Sequence, residues 1–229
     1  MLSIIVPILN EQETIATTLA ALQPLRQRGV EVIVVDGGSE DSSMRLASPL
    51  SDQVIVAARG RASQMNAGAR LATGDELLFL HSDTVLPKGA LEAIDQAFRA
   101  PGCVWGRFDV SIESPLRVLT GVAFLMNLRS RWTGIATGDQ AIFVKRSAFE
   151  RIGAFPAVLL MEDIALSKSL KQLSPPACVR AKVTTSGRRW EKNGIIRTGL
   201  LMWRLRLAYF LGADPSRLAE KYAHARRDK

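Results

Sequence analysis

Residues 31–41 read Glu-Val-Ile-Val-Val-Asp-Gly-Gly-Ser-Glu-Asp, a short apolar run that ends in an acid and two glycines. Residues 76–83 repeat the arrangement as Glu-Leu-Leu-Phe-Leu-His-Ser-Asp. Short apolar runs bounded by turn residues are typical of strands buried in a parallel sheet. Ligands of open α/β sheets bind at the carboxyl ends of such strands. Asp36 and Asp83 therefore predict one site for a nucleotide or polyphosphate with a metal ion.

The rest of the chain alternates between apolar β-branched runs and segments of helical period. Strands are predicted at 3–8, 31–36, 53–57, 76–82, 103–112 and 140–145, and helices at 12–27, 41–48, 61–73, 88–99, 115–130, 147–152, 162–173 and 193–212. Such alternation is typical of a parallel sheet with helices on both faces. The order loosens after residue 100, so we predict an α/β fold with a mixed, mainly parallel sheet flanked by helices.

The 229 residues are enough for one α/β domain with an appendage. We predict a domain at 1–190, in which residues 1–100 form the nucleotide-binding half and residues 101–190 the acceptor half. Residues 191–229 would form a basic, amphipathic helical tail.

The net charge of +8 lies in the C-terminal part of the chain, because residues 179–229 contain 13 Lys and Arg against 4 Asp and Glu. Trp203, Tyr209 and Phe210 lie among arginines there, which suits a membrane interface better than a nucleic acid. No nucleic-acid partner is expected. The alternative is that the apolar side of the tail packs on the domain or in a homodimer.

Three features favour a cytoplasmic location. The two cysteines are far apart and show no metal or disulfide spacing. The first residues lack the basic segment of a signal peptide. No stretch approaches the roughly 20 apolar residues that span a bilayer. If the tail binds lipid, the protein would lie at the inner face of the membrane.

Two strand-end turns carry candidate contacts to a nucleotide. The first strand ends with Pro7, Asn10 and Glu11, a segment that helix capping explains equally well. In the second turn, Gly37 allows the backbone to approach a ligand, and Asp36 can accept hydrogen bonds from a nucleobase or a ribose. A solvated surface turn is the alternative for Asp36.

Arg61 and Asn66 lie at the start of the helix predicted at 61–73. The helix dipole disfavours cations there unless an anion is present. The two side chains are therefore candidate contacts to a phosphate or a nucleobase, although arginines also extend into solvent.

The turn His81-Ser82-Asp83 is the candidate metal site, and Ser82 is a further candidate nucleotide contact. Carboxylate oxygens bind Mg²⁺ or Mn²⁺, which keep waters and bridge phosphates rather than needing a full protein cage. Asp83 would suffice as the direct ligand. His81 would ligate the metal, contact it through water, or only satisfy a hydrogen bond.

Two later groups complete the predicted site. Glu162 and Asp163 precede a helix, where an acid is poised to act as a general base or only complements the helix dipole. Arg188, Arg189 and Trp190 lie in a predicted flexible turn that suits a pyrophosphate or a sugar ring, with an ordinary basic loop as the alternative.

Together these motifs resemble glycosyltransferase family 2, the inverting enzymes with a GT-A fold, over about residues 1–190. The resemblance rests on the order of Val6-Pro7 with Asn10-Glu11, Asp36-Gly37-Gly38-Ser39, His81-Ser82-Asp83 and Glu162-Asp163. It implies a GT-A fold, transfer of a sugar from a UDP-linked donor to an unknown acceptor, and Mn²⁺ or Mg²⁺ as cofactor. It also implies a uracil or ribose contact for Asp36, metal binding by Asp83, and Asp163 as the base.

Two departures from the family pattern bear on function. His81 stands where the family usually has an acid, which affects the identity of the metal. The turn at Arg188 resembles the Arg-Trp element of polymerising members but lacks its glutamine and is followed by no membrane spans. The small size and the tail are also similar to a compact subgroup found near radical-SAM enzymes and associated with arsenosugar biosynthesis.

Two other functions compete with sugar transfer. A nucleotidyltransferase would use a similar sheet and metal, but it usually needs a Gly-rich loop after the first strand, and residues 8–11 lack one. A non-catalytic protein that binds a nucleotide or a membrane surface is the second alternative. Dinucleotide and P-loop fingerprints are absent from the sequence.

Overall fold

The structure is a computed structural model that describes residues 1–227. Its strands are β1 (Leu2–Ile8), β2 (Glu31–Asp36), β3 (Gln53–Val56), β4 (Glu76–Phe79), β5 (Thr84–Val85), β6 (Trp105–Glu113), β7 (Ile142–Lys145) and β8 (Ala177–Ser186). Its α-helices are α1 (Ile15–Arg26), α2 (Ser43–Ala47), α3 (Arg61–Leu71), α4 (Ala90–Phe98), α5 (Val118–Thr133), α6 (Arg146–Arg151), α7 (Glu162–Leu170), α8 (Arg188–Asn193), α9 (Ile195–Phe210) and α10 (Pro215–Arg227). Short 3₁₀ turns occupy Ser48–Leu50 and Gly138–Gln140.

All eight strands form one sheet in the order β3-β2-β1-β4-β7-β6-β8-β5. The pairs among β1 to β4 are parallel, as is the pair of β6 with β8. β7 runs antiparallel to β4 and β6, and β5 runs antiparallel to β8. This confirms the predicted mixed, mainly parallel α/β sheet. The sheet runs through both predicted halves of the domain.

The apolar runs are continuous because the central strands are buried on both faces. In β1, Ile4 and Val6 belong to one apolar cluster, whereas Ile5 belongs to the cluster on the opposite face. Residues of α1, α4 and α5 join the first cluster, and residues of α3, α6 and α7 join the second. Helices therefore cover both faces, as the alternating pattern predicts.

β8 was not predicted from the sequence. Its side chains alternate, with Val183 and Thr185 buried and Arg180 and Lys182 exposed. The two-residue alternation of a strand is therefore present in the sequence, although basic residues occupy its exposed positions. The structure also corrects the flexible turn predicted for Arg188 to Trp190. These residues start α8 directly after β8.

The C-terminal helices pack against the domain. Leu205 of α9 and Leu218 of α10 form a buried cluster with Ile135, Met161 and Ile164. The predicted tail therefore covers the segment that leads into α7, while its last two residues, 228 and 229, lie outside the described part of the chain. Within residues 1–227, no helix is long and apolar enough to cross a membrane.

A buried ion network stabilises the junction between β6 and α5. Arg107 is fully buried and donates to the Asp109 carboxylate, which also accepts a hydrogen bond of 2.5 Å from Arg131. The Asn127 side chain pairs with the backbone N–H and C=O of Val110 beside them. The network satisfies charges that would otherwise be buried without a partner.

Candidate active site

The predicted ligands lie at one edge of the sheet. β2, β1 and β4 are adjacent and parallel, so the turns that follow them meet at their carboxyl ends. Asp36 is the last residue of β2 and pairs in register with Ile8, the last residue of β1. The turn from His81 to Asp83 follows β4 at the same edge.

Asp36 is buried, and its carboxylate organises its own turn. It accepts hydrogen bonds from the N–H groups of Gly38 and Ser39, each at 2.8 Å, and from the Ser39 hydroxyl at 2.5 Å. Gly38 has a φ of 92°, which glycine adopts at little cost. A carboxylate has about four acceptor positions, so one remains for a ligand.

The turn after β1 is tied to the turn after β2. The Asn10 N–H donates to the Ser39 hydroxyl at 2.8 Å, and the Asn10 side-chain oxygen accepts the Glu40 N–H at 2.9 Å. Pro7 is buried within β1 opposite Val35. The side chain of Asn10 therefore serves this connection, and Pro7 lies inside the sheet. The nucleotide contacts predicted for both residues remain predictions.

Arg188 connects three acids. Its guanidinium lies 3.2 Å from Glu11, 3.5 Å from Glu13 and 3.9 Å from Asp83, measured between nitrogen and carboxylate oxygen. These acids belong to the turns after β1 and β4, and Arg188 begins α8. A cation thus already faces the side chain of the predicted metal ligand, Asp83.

His81 contacts the 3₁₀ turn Gly138–Gln140. Its Nδ1 atom lies 3.2 Å from an Asp139 carboxylate oxygen, and a β-carbon placed on Gly138 would lie only 2.2 Å from Nε2. His81 is 8% exposed. Asp139 therefore engages Nδ1, and Nε2 packs closely against Gly138, where there is no room for a larger side chain. Direct ligation of a metal by His81 remains a prediction.

Asp163 is held by the same turn. Its Oδ2 atom accepts the Gly138 N–H at 2.9 Å, and its Oδ1 atom accepts the N–H of Ile164 at 2.7 Å. The turn Gly138–Gln140 thus contacts His81 on one side and Asp163 on the other. It joins the turn after β4, through His81, to the acid at the start of α7.

The charges of this site alter the acidity of its members. Burial raises the pKa of Glu162, and the neighbouring charge of Asp163 raises it further. Burial opposes ionisation of Asp139, but the hydrogen bond and charge of His81 and the charge of Arg61 outweigh it and lower the Asp139 pKa. The ionised form of Glu162 is therefore disfavoured in this site.

Arg61 lies in the field of these acids. Loss of solvation lowers the pKa of this guanidinium, but the charges of Glu162 and Asp139 outweigh that effect and leave the pKa raised. The first residue of α3 is thus a firmly charged cation near the acidic pair, where the helix dipole would otherwise disfavour it.

Three non-glycine residues with positive φ flank the site within the described chain. They are Asn10 with 54°, Ala141 with 46° and Met161 with 68°. Such conformations cost of order 1–3 kcal/mol and persist where the surrounding structure holds them. Asn10 lies in the turn after β1, Ala141 follows the 3₁₀ turn, and Met161 precedes Glu162. The strain is concentrated where the candidate residues are presented.

The other residues predicted to contact the nucleotide are engaged with different parts of the protein. Both polar atoms of the Asn66 side chain bond the backbone of Phe155, so this amide fixes a loop. Ser82 is buried and its carbonyl accepts the Thr18 hydroxyl at 2.6 Å. Trp190 packs against the apolar core, whereas Arg189 lies over the Tyr222 ring.

The metal-binding side chains of this site fit a divalent ion that is held by few protein ligands. Among residues 1–227, no three His, Cys, Asp or Glu side chains are grouped to hold a metal. The Asp83 side chain is 29% exposed and oriented toward a cationic group. One such carboxylate suits Mg²⁺ or Mn²⁺ when diphosphate oxygens and water complete the coordination.

Residues 3–153 match the family model described as glycosyl transferase family 2. The chain belongs to glycosyltransferase family 2. A curated relative, the PGL/p-HBAD biosynthesis glycosyltransferase of Mycobacterium bovis (strain BCG / Pasteur 1173P2), is 28% identical over 172 residues. That alignment covers 68% of this family-2 chain and 63% of the relative. The chain thus spans less than two thirds of the curated relative that it matches.

Solved structures support the same fold. TarS residues 1–349 of S. aureus in complex with UDP-GlcNAc align with a TM-score of 0.66 and 18% identity, covering 81% of this chain and 58% of that one. The mannosyltransferase PcManGT from Pyrobaculum calidifontis, in complex with GDP-Man and Mn²⁺, aligns with a TM-score of 0.61 and 20% identity. It covers 99% of this chain and 70% of that one. At these identities the likeness concerns the fold, and it confirms the GT-A architecture.

Sequence reasoning missed Asp139 and its turn. The stretch Thr137-Gly138-Asp139-Gln140 places a glycine and an acid next to an apolar strand, which is the same signal that singled out Asp36 and Asp83. It did not single out Arg129 of α5, and it grouped Arg206 of α9 with the other arginines of the C-terminal tail. No local pattern distinguishes those arginines from solvated ones.

Proposed function

We propose that this chain transfers a sugar from a nucleotide-sugar donor, UDP-linked, to an acceptor with inversion at the anomeric carbon. The observation that carries the proposal is the turn Gly138–Gln140, which contacts both His81 and Asp163. Through it, the turn that carries His81 and Asp83 is connected to the acid of α7, which supports a single displacement with a leaving group on one side and a base on the other.

In this proposal Asp163 is the general base. The acceptor oxygen forms a bond to the anomeric carbon, the bond from that carbon to the diphosphate breaks, and the acceptor proton passes to the Asp163 carboxylate. Hydrogen bonds from Gly138 and Ile164 orient that carboxylate. Burial and the charge of Asp163 raise the pKa of Glu162, which makes Glu162 the poorer candidate for an ionised base.

The leaving group needs positive charge because the diphosphate gains a negative charge as the bond breaks. Arg188 and Arg189 lie at the start of α8 and would stabilise it, as preorganised cations do. Asp83 would hold a Mn²⁺ or Mg²⁺ ion, which when bound acts as a Lewis acid on the diphosphate. Asp36 would contact the uracil or the ribose.

Relatives support the class of donor and metal. The S. aureus TarS structure contains UDP-GlcNAc, and the P. calidifontis mannosyltransferase structure contains GDP-Man and Mn²⁺. We favour a UDP-linked donor because the family resemblance implies one and the TarS structure contains UDP-GlcNAc. The resemblance to the radical-SAM-associated subgroup remains a prediction.

A thermal-shift panel of UDP- and GDP-sugars with and without Mn²⁺ tests the donor and the metal together. A ligand at 100 times its Kd stabilises the native state by about 2.7 kcal/mol. For a chain of this size that raises Tm by roughly 5–10 °C. We expect UDP-sugars to produce such a shift and Mn²⁺ to enlarge it.

Asp83→Asn should remove the part of the shift that depends on Mn²⁺, because an amide is a poorer ligand than a carboxylate. Asp95→Asn, an identical change at an exposed position of α4, is the matched control and should keep the full shift. A Mn²⁺-dependent shift of equal size in both variants would rule out Asp83 as the metal ligand.

The two competing functions differ in their products. A nucleotidyltransferase would release pyrophosphate from a nucleoside triphosphate, and a non-catalytic binder would release nothing from any donor. Membership of glycosyltransferase family 2 favours sugar transfer over both. Release of UDP from a UDP-sugar in the presence of a crude acceptor extract separates the three.

We also propose that α9 attaches the protein to an anionic membrane surface. The outer face of this helix carries five apolar side chains that are each more than half exposed, namely Ile196, Leu200, Trp203, Leu207 and Phe210. Arg197 and Arg204, both exposed, lie beside them. An apolar stripe with a tryptophan and flanking arginines suits the interface of an anionic bilayer.

Flotation with vesicles of phosphatidylcholine and phosphatidylserine tests this attachment. The wild type should float with the vesicles, and a Trp203→Ser, Leu207→Ser variant should remain at the bottom of the gradient. Val56→Ser removes an equally exposed side chain from β3 and should not alter flotation. Equal flotation of all three proteins, or a concentration-dependent dimer that the double variant abolishes, would refute membrane attachment.

A further inference from the structure

Two arginines beside the acidic pair lack partners. The Nε and Nη2 atoms of Arg129 and the Nε atom of Arg206 are buried without a hydrogen bond. Neither side chain forms an ion pair within the described chain. Buried donors that are left unpaired are costly, so their occurrence on two neighbouring cations calls for an explanation.

The two arginines approach the site from different helices. Arg206 follows Leu205, which packs with Met161 and Ile164 on either side of the acidic pair. Arg129 lies near the end of α5, one turn before the segment that leads to Gly138–Gln140. The charges of Arg206, Asp163 and Asp139 all act on Arg129, so the two guanidinium groups lie near each other and Arg129 lies near the acidic pair.

The acids of the site form no ion pair with these arginines within the described residues. The Asp163 oxygens accept backbone N–H groups, and Asp139 contacts His81. Burial and, after it, the charge of Arg206 lower the pKa of Arg129 to about 10, although Asp163 and Asp139 act in the opposite direction. Arg129 therefore lies near a second cation, and neither guanidinium has a carboxylate within hydrogen-bond distance in the described part of the chain.

We propose that Arg129 and Arg206 bind an oxyanion group, a phosphate or a carboxylate, of the acceptor substrate beside Asp163. A guanidinium donates two parallel hydrogen bonds to such a group, which would satisfy the unpaired nitrogens. The anion would hold the acceptor so that its hydroxyl faces the base. The inference rests on the proposed role of Asp163 and names the acceptor class for that site.

Binding of inorganic phosphate and of acetate, measured by thermal shift at constant ionic strength, tests the site without knowledge of the acceptor. Phosphate should raise the Tm of the wild type, and acetate should raise it less. Arg129→Gln and Arg206→Gln should each weaken the apparent phosphate affinity at least about 10-fold, since each loses a charged hydrogen bond. Arg217→Gln, at an exposed position of α10, should keep the wild-type affinity.

Two further measurements separate this site from the donor site and from a structural role. UDP should bind both glutamine variants within about twofold of the wild type, because the diphosphate is assigned to Arg188 and Arg189. Without phosphate, both variants should melt no lower than the wild type, because an unpaired charge has been removed. Arg206→Lys should retain part of the phosphate response.

Three outcomes would overturn the inference. The first is a phosphate response that is absent, or equal in all variants. The second is a parallel loss of UDP and phosphate binding, which would assign the arginines to the donor. The third is a large fall in Tm of both variants without phosphate, which would make them structural. Failure of UDP to bind the wild type, with the phosphate responses as expected, would instead count against the proposed transferase function alone.

Discussion

Asp163→Asn is expected to lower kcat by about 10²- to 10⁴-fold, the usual contribution of a general base. The asparagine keeps the size of the side chain and can still accept one backbone hydrogen bond, so the turn at Gly138 should persist. The Kd of the donor should change little, because the base faces the acceptor. Single-turnover kinetics with the donor identified by thermal shift, and calorimetric titration of UDP, measure the two quantities.

Glu162→Gln is the matched control. Its pKa is raised by burial and by Asp163, so a neutral glutamine resembles its protonated form, and we expect a loss of less than about 10-fold. Normal turnover in Asp163→Asn combined with weak donor binding would move Asp163 from the base to the donor site. A larger loss in Glu162→Gln than in Asp163→Asn would exchange their roles.

Asp109→Asn is expected to destabilise the protein by about 3–5 kcal/mol, because it leaves the fully buried charge of Arg107 without its counter-ion. For a chain of this length, such a loss lowers Tm by roughly 6–20 °C. Differential scanning calorimetry at neutral pH measures it.

Two further variants serve as controls for the effect of Asp109→Asn on stability. Asp95→Asn, on the surface of α4, should stay within about 0.5 kcal/mol of the wild type. The double change Arg107→Met, Asp109→Leu should recover much of the lost stability, because a buried ion pair replaced by apolar groups is often neutral. If Asp109→Asn melted with the Asp95→Asn control, the network would contribute no measurable stability.

Local pattern predicted the central sheet because each strand of its buried core is a continuous apolar run that ends in a turn. Every residue of β1 is buried, as is every residue of β2 after Glu31, so composition alone marks these strands. The same reasoning placed Asp36 and Asp83 at the carboxyl edge. Membership of the family followed from the order of those turns, and the match over residues 3–153 confirms it.

Other features of the fold and of the site depend on contacts between residues that are far apart in the sequence. β8 was missed because its inward residues alternate with lysine and arginine, which resemble a solvated segment. Asp139 meets His81 across 58 positions, and Asn66 bonds Phe155 across 89. The orientation of such side chains follows from how helices pack on the sheet, so the uses of His81 and Asn66 could not be read from their neighbours in sequence.

A crystal structure with UDP and Mn²⁺, with manganese located by its anomalous signal, tests the assignment of the site most directly. The ion is expected on the Asp83 carboxylate, with the diphosphate between it and Arg188, the uridine against Asp36, and Asp163 facing the open side of the diphosphate. Manganese or nucleotide bound away from Asp83 and Asp36, or Asp163 turned from the bound diphosphate, would contradict it.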